Sequence, residues 1–93
     1  MLVGVCQIEL FVPESGSLKS KRAVLNSLKT RIRNKFNVSV AEVDNNDKWQ
    51  RISLGISMIS NERKFFDKIC GEIFKLIEVD GRAEILNHVL EIY

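Results

Sequence analysis

Seven basic side chains stand between Ser17 and Asn37 with no acid among them: Lys19, Lys21, Arg22, Lys29, Arg31, Arg33 and Lys35. The whole chain of 93 residues has 14 Lys and Arg against 12 Asp and Glu. Removing the segment's seven from the 14 leaves seven bases against 12 acids, so the remainder carries −5 while this stretch carries +7. Such a row suits a polyanion such as RNA, whose phosphates it would neutralise. Lys19, Arg22, Lys29 and Arg33 form the best candidate contact, and Trp49 and Arg51 are expected to add stacking or phosphate contact to it. The opposing reading is a solvated helix face balanced by acids elsewhere on the fold.

Other reactive groups are sparse. His88 is the single histidine, and alternation puts it between Leu86 and Leu90 on a core register, as a buried or half-buried structural residue. Cys6 and Cys70 form no CxxC and read as small buried hydrophobes. With His88 they have no spacing that supports zinc. Glu42, Asp44 and Asp47 cluster around a turn, where they would either hold Mg²⁺ loosely or be solvated turn charge; the second reading is favoured. No Ser or Cys carries a nucleophile signature, and there is no GxGxxG, phosphate-binding loop or HExxH. The expectation is a non-enzyme with no catalytic residue, no metal and no cofactor.

The cations need a rod. Leu18, Leu25, Leu28, Ile32 and Phe36 recur at three, four and seven residues, so at ~100° per residue they make one buried stripe of a helix. Ser15 or Ser17 caps it. Lys19, Arg22, Asn26, Lys29 and Arg33 follow one flank. Lys21 falls nearly inside the apolar stripe, so it must lie at the helix end or snorkel outward.

Residues 2–12 precede this helix as a strand. Leu2, Gly4, Cys6, Ile8, Leu10 and Val12 share its apolar face, and Val3, Val5, Gln7, Glu9 and Phe11 its mixed face. Pro13 stops it. Residues 38–44 and 48–59 read as a hairpin around Asn45-Asn46-Asp47. In its second strand Ile52, Leu54, Ile56 and Met58 oppose Trp49, Arg51, Ser53, Gly55 and Ser57. A second helix spans roughly 61–78, capped by Ser60 or Asn61, with Glu62 in its first turn. Phe65, Phe66, Ile69, Ile73, Leu76 and Ile77 form its buried stripe, and Phe74 falls off it. Residues 83–93 alternate again.

The order strand, helix, strand, strand, helix, strand favours one α+β domain over residues 1–93. It is a ferredoxin-like βαββαβ sandwich, two helices on one face of a four-stranded antiparallel sheet. The open face then shows Val3, Val5, Phe11, Trp49, Val89 and Tyr93, and the alternative function is an oligomeric structural or regulatory module, a homo-oligomer associating through this face or an edge strand. No run reaches the ~18–20 apolar residues of a membrane helix. The start is apolar without a basic head, so no secretory signal is read there and the cytoplasm is the expected compartment.

GVCQIELFVPESGSLKSKR, followed by RIRNKFNVSVAEVDNNDKWQRISLGI, resembles the YlxP-like family of small bacterial proteins of unknown function. The likeness runs from Met1 to Tyr93, and its most specific pieces are SLKSKR at 17–22, RNKFNVSVAEVD at 33–44, and Asp47 with Trp49-Gln50-Arg51. It implies a ferredoxin-like fold. Because genes of the family often lie beside those for transcription elongation, translation initiation and ribosome maturation, it also implies a role near the ribosome or its RNA. It carries over no catalytic residue.

Overall fold

A computed structural model describes residues 1–93. The elements are β1 (Leu2–Phe11), α1 (Leu18–Lys35), β2 (Ser39–Asp44), β3 (Arg51–Ser60), α2 (Arg63–Asp80) and β4 (Glu84–Ile92). The strands form one sheet in the order β2-β3-β1-β4, every neighbouring pair antiparallel. This is the ferredoxin-like sandwich expected from the element order.

Period decides what is buried. Cys6, Ile8, Leu10 and Val12 from β1 and the residue beyond its end meet Ile52, Leu54, Ile56 and Met58 from β3 on the helix side of the sheet. Leu25, Leu28, Ile32 and Phe36 come down from α1, and Phe66, Cys70, Ile73, Leu76 and Ile77 from α2. Gly4 lets α2 approach: a Cβ there would stand 2.6 Å from Phe66 Cδ1.

The helix ends use local chemistry. Ser17 caps α1 by accepting from the Ser20 amide at 3.1 Å, and the Ser20 hydroxyl accepts from the Ser17 amide at 3.3 Å. This is a capping box with serine at both positions. Gly81 closes α2 at φ 79, where a side chain would be strained, donating its amide to the Ile77 carbonyl at 3.2 Å. Glu62 is the N-cap of α2 rather than a first-turn residue, and no side chain caps the helix. The Ser60 hydroxyl, two residues before the cap, instead accepts from the Glu62 amide at 3.2 Å.

Two bulges alter the expected alternation. In β4, Asn87 pairs with Glu9 but Ile85 pairs with Leu10, so Leu86 is an extra residue and is thrown outward. Ile85 thereby joins His88, Leu90 and Ile92 on the helix side. His88 keeps the core register but is exposed, because β4 is an edge strand; its ring lies 4.4 Å from that of Phe74. Phe74 is half-buried under it rather than free. In β2, Val43 is the extra residue and lies over Gly55. β3 starts at Arg51, so Trp49 belongs to the turn before it and not to a strand face.

Candidate functional site

At ~100° per residue the cations of α1 divide into three groups. Lys21 faces the core. Arg31 and Lys35 face α2. Lys19, Arg22, Lys29 and Arg33 share the outer flank within about 80° of one another, along about 21 Å of helix.

Lys21 lies at the end of α1, in its first turn, as the first of the two alternatives had it. It does not snorkel to water; it is fully buried. Its Nζ donates to the Asn45 carbonyl at 2.5 Å and lies 2.8 Å from Glu42 Oε2, whose side chain is 11% exposed. Glu42 reaches the helix side because its β2 position pairs with Leu54. The other carboxylate oxygen, Oε1, accepts from Asn46 Nδ2 at 3.2 Å. Asn45, in the left-handed region at φ 64, works on both sides of the sheet. Its carbonyl takes Lys21, while its Nδ2 donates to Ser53 Oγ at 2.8 Å on the open side. The Ser53 hydroxyl donates in turn to Glu9. Ser53, expected on the open face, is on that face but buried by these partners. The clamp ties the first turns of α1 to the β2–β3 turn.

Glu42, Asp44 and Asp47 do not converge. Glu42 turns inward to Lys21, and Asp44 Oδ1 accepts from the Asn45 amide at 2.8 Å on the far side.

On the α2 side the balance is internal. Asp80, its side chain only 4% exposed, takes Arg31 at 2.6 Å and Arg82 at 2.8 Å. The Arg82 hydrogen bonds, with Arg31 adding its charge, hold the Asp80 carboxyl below the usual carboxylate range. Arg82 also donates to Ser27 Oγ at 2.8 Å, joining the start of β4 to α1. Lys35 Nζ stands 5.6 Å from the centre of its neighbour's ring, Phe36. An open groove of about 730 Å³ runs between the two helices, lined by Arg31, Asn34, Lys35, Glu72 and Lys75.

The outer flank differs. Lys19, Arg22, Lys29 and Arg33 make no ion pair and no side-chain hydrogen bond within the molecule. Lys29 is half-buried and the other three are exposed. Arg51 is exposed and also unpaired, but it pairs in register with Phe11 and points to the open face, so the fold does not add it to the row.

The open face carries Val5, Val89 and Tyr93, all exposed, with Val3 and Phe11 half-buried. Ile59 and Val43 are exposed apolar residues that the sequence reading did not include. The alternation places Ile59 there; Val43 arrives through its bulge. Tyr93 donates its hydroxyl to Glu91 at 2.6 Å, which pushes its phenol above the usual range. Cys6 and Cys70, distant in sequence, are brought together as free buried thiols. The hydrogen bond to Cys70, with burial, pushes the Cys6 thiol up.

No helix is long and apolar enough to cross a membrane. In comparisons with solved structures the chain is similar over its whole length to a de novo designed protein with a ferredoxin fold, solved by NMR in solution. The TM-score is 0.60 at 12% identity, with 84% of that chain covered, a likeness of fold alone. In sequence it is 40% identical over 77 residues to the uncharacterized protein YlxP of Bacillus subtilis (strain 168), covering 83% of this chain and 84% of that one. Residues 3–89 match the family described as a protein of unknown function, DUF503, and the chain belongs to that family.

Proposed function

We propose that this protein is a non-catalytic module that binds RNA, free or on the ribosome, through the outer flank of α1. The observation that carries the reading is the row of Lys19, Arg22, Lys29 and Arg33, four cations along ~21 Å of rigid helix with no carboxylate of their own. Of the other cations of α1, Lys21 is taken by Glu42 and Arg31 by Asp80, while Lys35 is unpaired but faces α2 rather than the outer flank. Free cations at this spacing exchange condensed counterions for phosphates and need no base contact. The reading places the protein in the cytoplasm, where its ligand is. Replacing Arg22→Glu together with Lys29→Glu is expected to abolish retention on RNA or ribosomes while the circular dichroism spectrum stays that of the parent. Retention equal to the parent's would remove the helix as the contact.

A second reading rests on the open sheet face, where Val5, Val89 and Tyr93 line a shallow depression with Gln7, Glu9, Asn87 and Glu91. Exposed apolar side chains gathered this way serve self-association. If they do, Val5→Glu or Tyr93→Asp shifts the elution volume in size exclusion; a parent that already elutes as a monomer ends that reading.

A further inference from the structure

Trp49 is 56% exposed in the turn joining β2 to β3. Tryptophan brings a large flat apolar surface and is enriched where proteins meet partners. The turn that carries it is held at several points. Asn45, in its left-handed conformation, receives Lys21 Nζ at 2.5 Å and the Lys48 amide at 3.0 Å on one carbonyl. Its side chain is fixed to Ser53 at 2.8 Å. On the other side of Trp49, the Gln50 carbonyl accepts from the Val12 amide at 2.9 Å, and Gln50 Nε2 donates to the Pro13 carbonyl at 3.1 Å. An exposed indole thus sits between two anchored residues, which lowers the entropy lost when a flat ligand packs on it.

The anchors also fix where it sits. Lys21 lies between Lys19 and Arg22 in the chain, and its buried side chain reaches the turn directly. Pro13, which holds Gln50, leads through Ser15 into the cap of α1. The turn that carries Trp49 is therefore held at the N-terminal end of the cation row. The charged neighbours at that end are Lys48 and Arg51, both exposed and unpaired, and the exposed carboxylates of Glu14 and Asp47; Asp44 is engaged by the Asn45 amide.

We infer that the RNA bound along α1 presents an unpaired nucleotide at this end, and that its base stacks on Trp49. This rests on the α1 reading and adds the ligand's class: a backbone-tracked segment ending in a single-stranded extension. Interior bases of a duplex keep their faces stacked on one another, so a platform of this kind meets a base only where pairing stops. Stacking is sequence-tolerant, so no single base identity is required.

Trp49 is the only tryptophan, so its emission reports this position alone. Three probes are titrated at low salt: a blunt RNA duplex of roughly 12 base pairs, longer than the row; the same duplex with a short uridine overhang; and single-stranded oligouridine. The overhang and the single strand are expected to quench the emission, and the blunt duplex to leave it unchanged while still binding by anisotropy. Trp49→Ala should weaken the overhang RNA about tenfold and leave the blunt duplex unaffected, with Trp49→Phe keeping most of the difference. Overhang RNA that binds without quenching, or that binds Trp49→Ala as it binds the parent, overturns the stacking role and leaves the α1 reading standing. Failure of all three RNAs to bind, or equal binding of all three by the Arg22→Glu, Lys29→Glu variant, overturns both.

Discussion

Lys21→Met tests whether the buried lysine holds the fold or merely happens to be covered. The substitution keeps an unbranched chain of similar length and removes the charge. Glu42 Oε2 then loses its only close partner while its side chain remains 11% exposed. Oε1 keeps Asn46, and the Asn45 carbonyl keeps the Lys48 amide, so the penalty falls mainly on the orphaned charge. Breaking a buried pair from one side costs about 3–5 kcal/mol. The surviving partners put the expectation near the lower figure, about 3 kcal/mol. A domain of 93 residues has on the order of 5–14 kcal/mol in total, so Lys21→Met leaves a marginal protein. Its melting point should fall by more than 10 °C, at ~4–8 °C per kcal/mol. The assay is urea unfolding followed by far-ultraviolet circular dichroism, with the slope m unchanged and the midpoint lowered. Lys21→Met with Glu42→Leu removes both charges and should recover most of the loss. Lys19→Met, on the exposed flank, should stay within about 0.5 kcal/mol of the parent. A Lys21→Met midpoint equal to that of Lys19→Met, or a double variant no better than the single, would refute the clamp.

Three further outcomes are expected. Gly4→Ala forces a methyl against the ring of Phe66, which is fully buried and cannot turn aside, and should cost about 1–3 kcal/mol in denaturant midpoint analysis. Gly55→Ala meets only Val43, whose side chain is exposed and can rotate away, and should cost clearly less than Gly4→Ala in the same measurement. Asp80→Asn loses two charge-assisted contacts to half-exposed arginines, worth roughly 1–2 kcal/mol at neutral pH. Because the folded carboxyl titrates below its ordinary value of 3.8, that advantage is present above about pH 4 and fades as the pH falls through the lower folded value. The parent and Asp80→Asn melting curves should therefore be well separated at neutral pH and draw together in strong acid.

The parts of the fold that follow a local period were legible. Cys6, Ile8 and Leu10 alternate because a strand has two faces, and Leu25, Leu28 and Ile32 recur because a helix has 3.6 residues per turn. The bulges were not, since the extra residue is chosen by pairing with β1 or β3 and not by the segment itself. Leu86 therefore left the core side and Ile85 joined it. The Lys21 pair was half legible. A lysine on the apolar stripe of α1 and a glutamate in step with Val38 and Val40 on β2 are two misplaced charges of opposite sign on facing elements, and that signal points to a buried pair. The flank of Lys19, Arg22, Lys29 and Arg33 was legible from the helical period, but the pairing of Arg31 was not, because Asp80, which takes it, lies 49 residues away. The period gives the face each cation takes; only packing tells which of them meets a carboxylate.

The most direct measurement is the salt dependence of RNA affinity. If the four outer-flank cations of α1 meet phosphates, log affinity should fall against log salt with a slope of about −2.8 to −3.6, at ~0.7–0.9 per phosphate. Arg22→Gln with Lys29→Gln should flatten that slope by about two contacts' worth and weaken binding at low salt. Affinity that ignores salt, or a neutralised variant whose slope matches the parent's, would contradict the account.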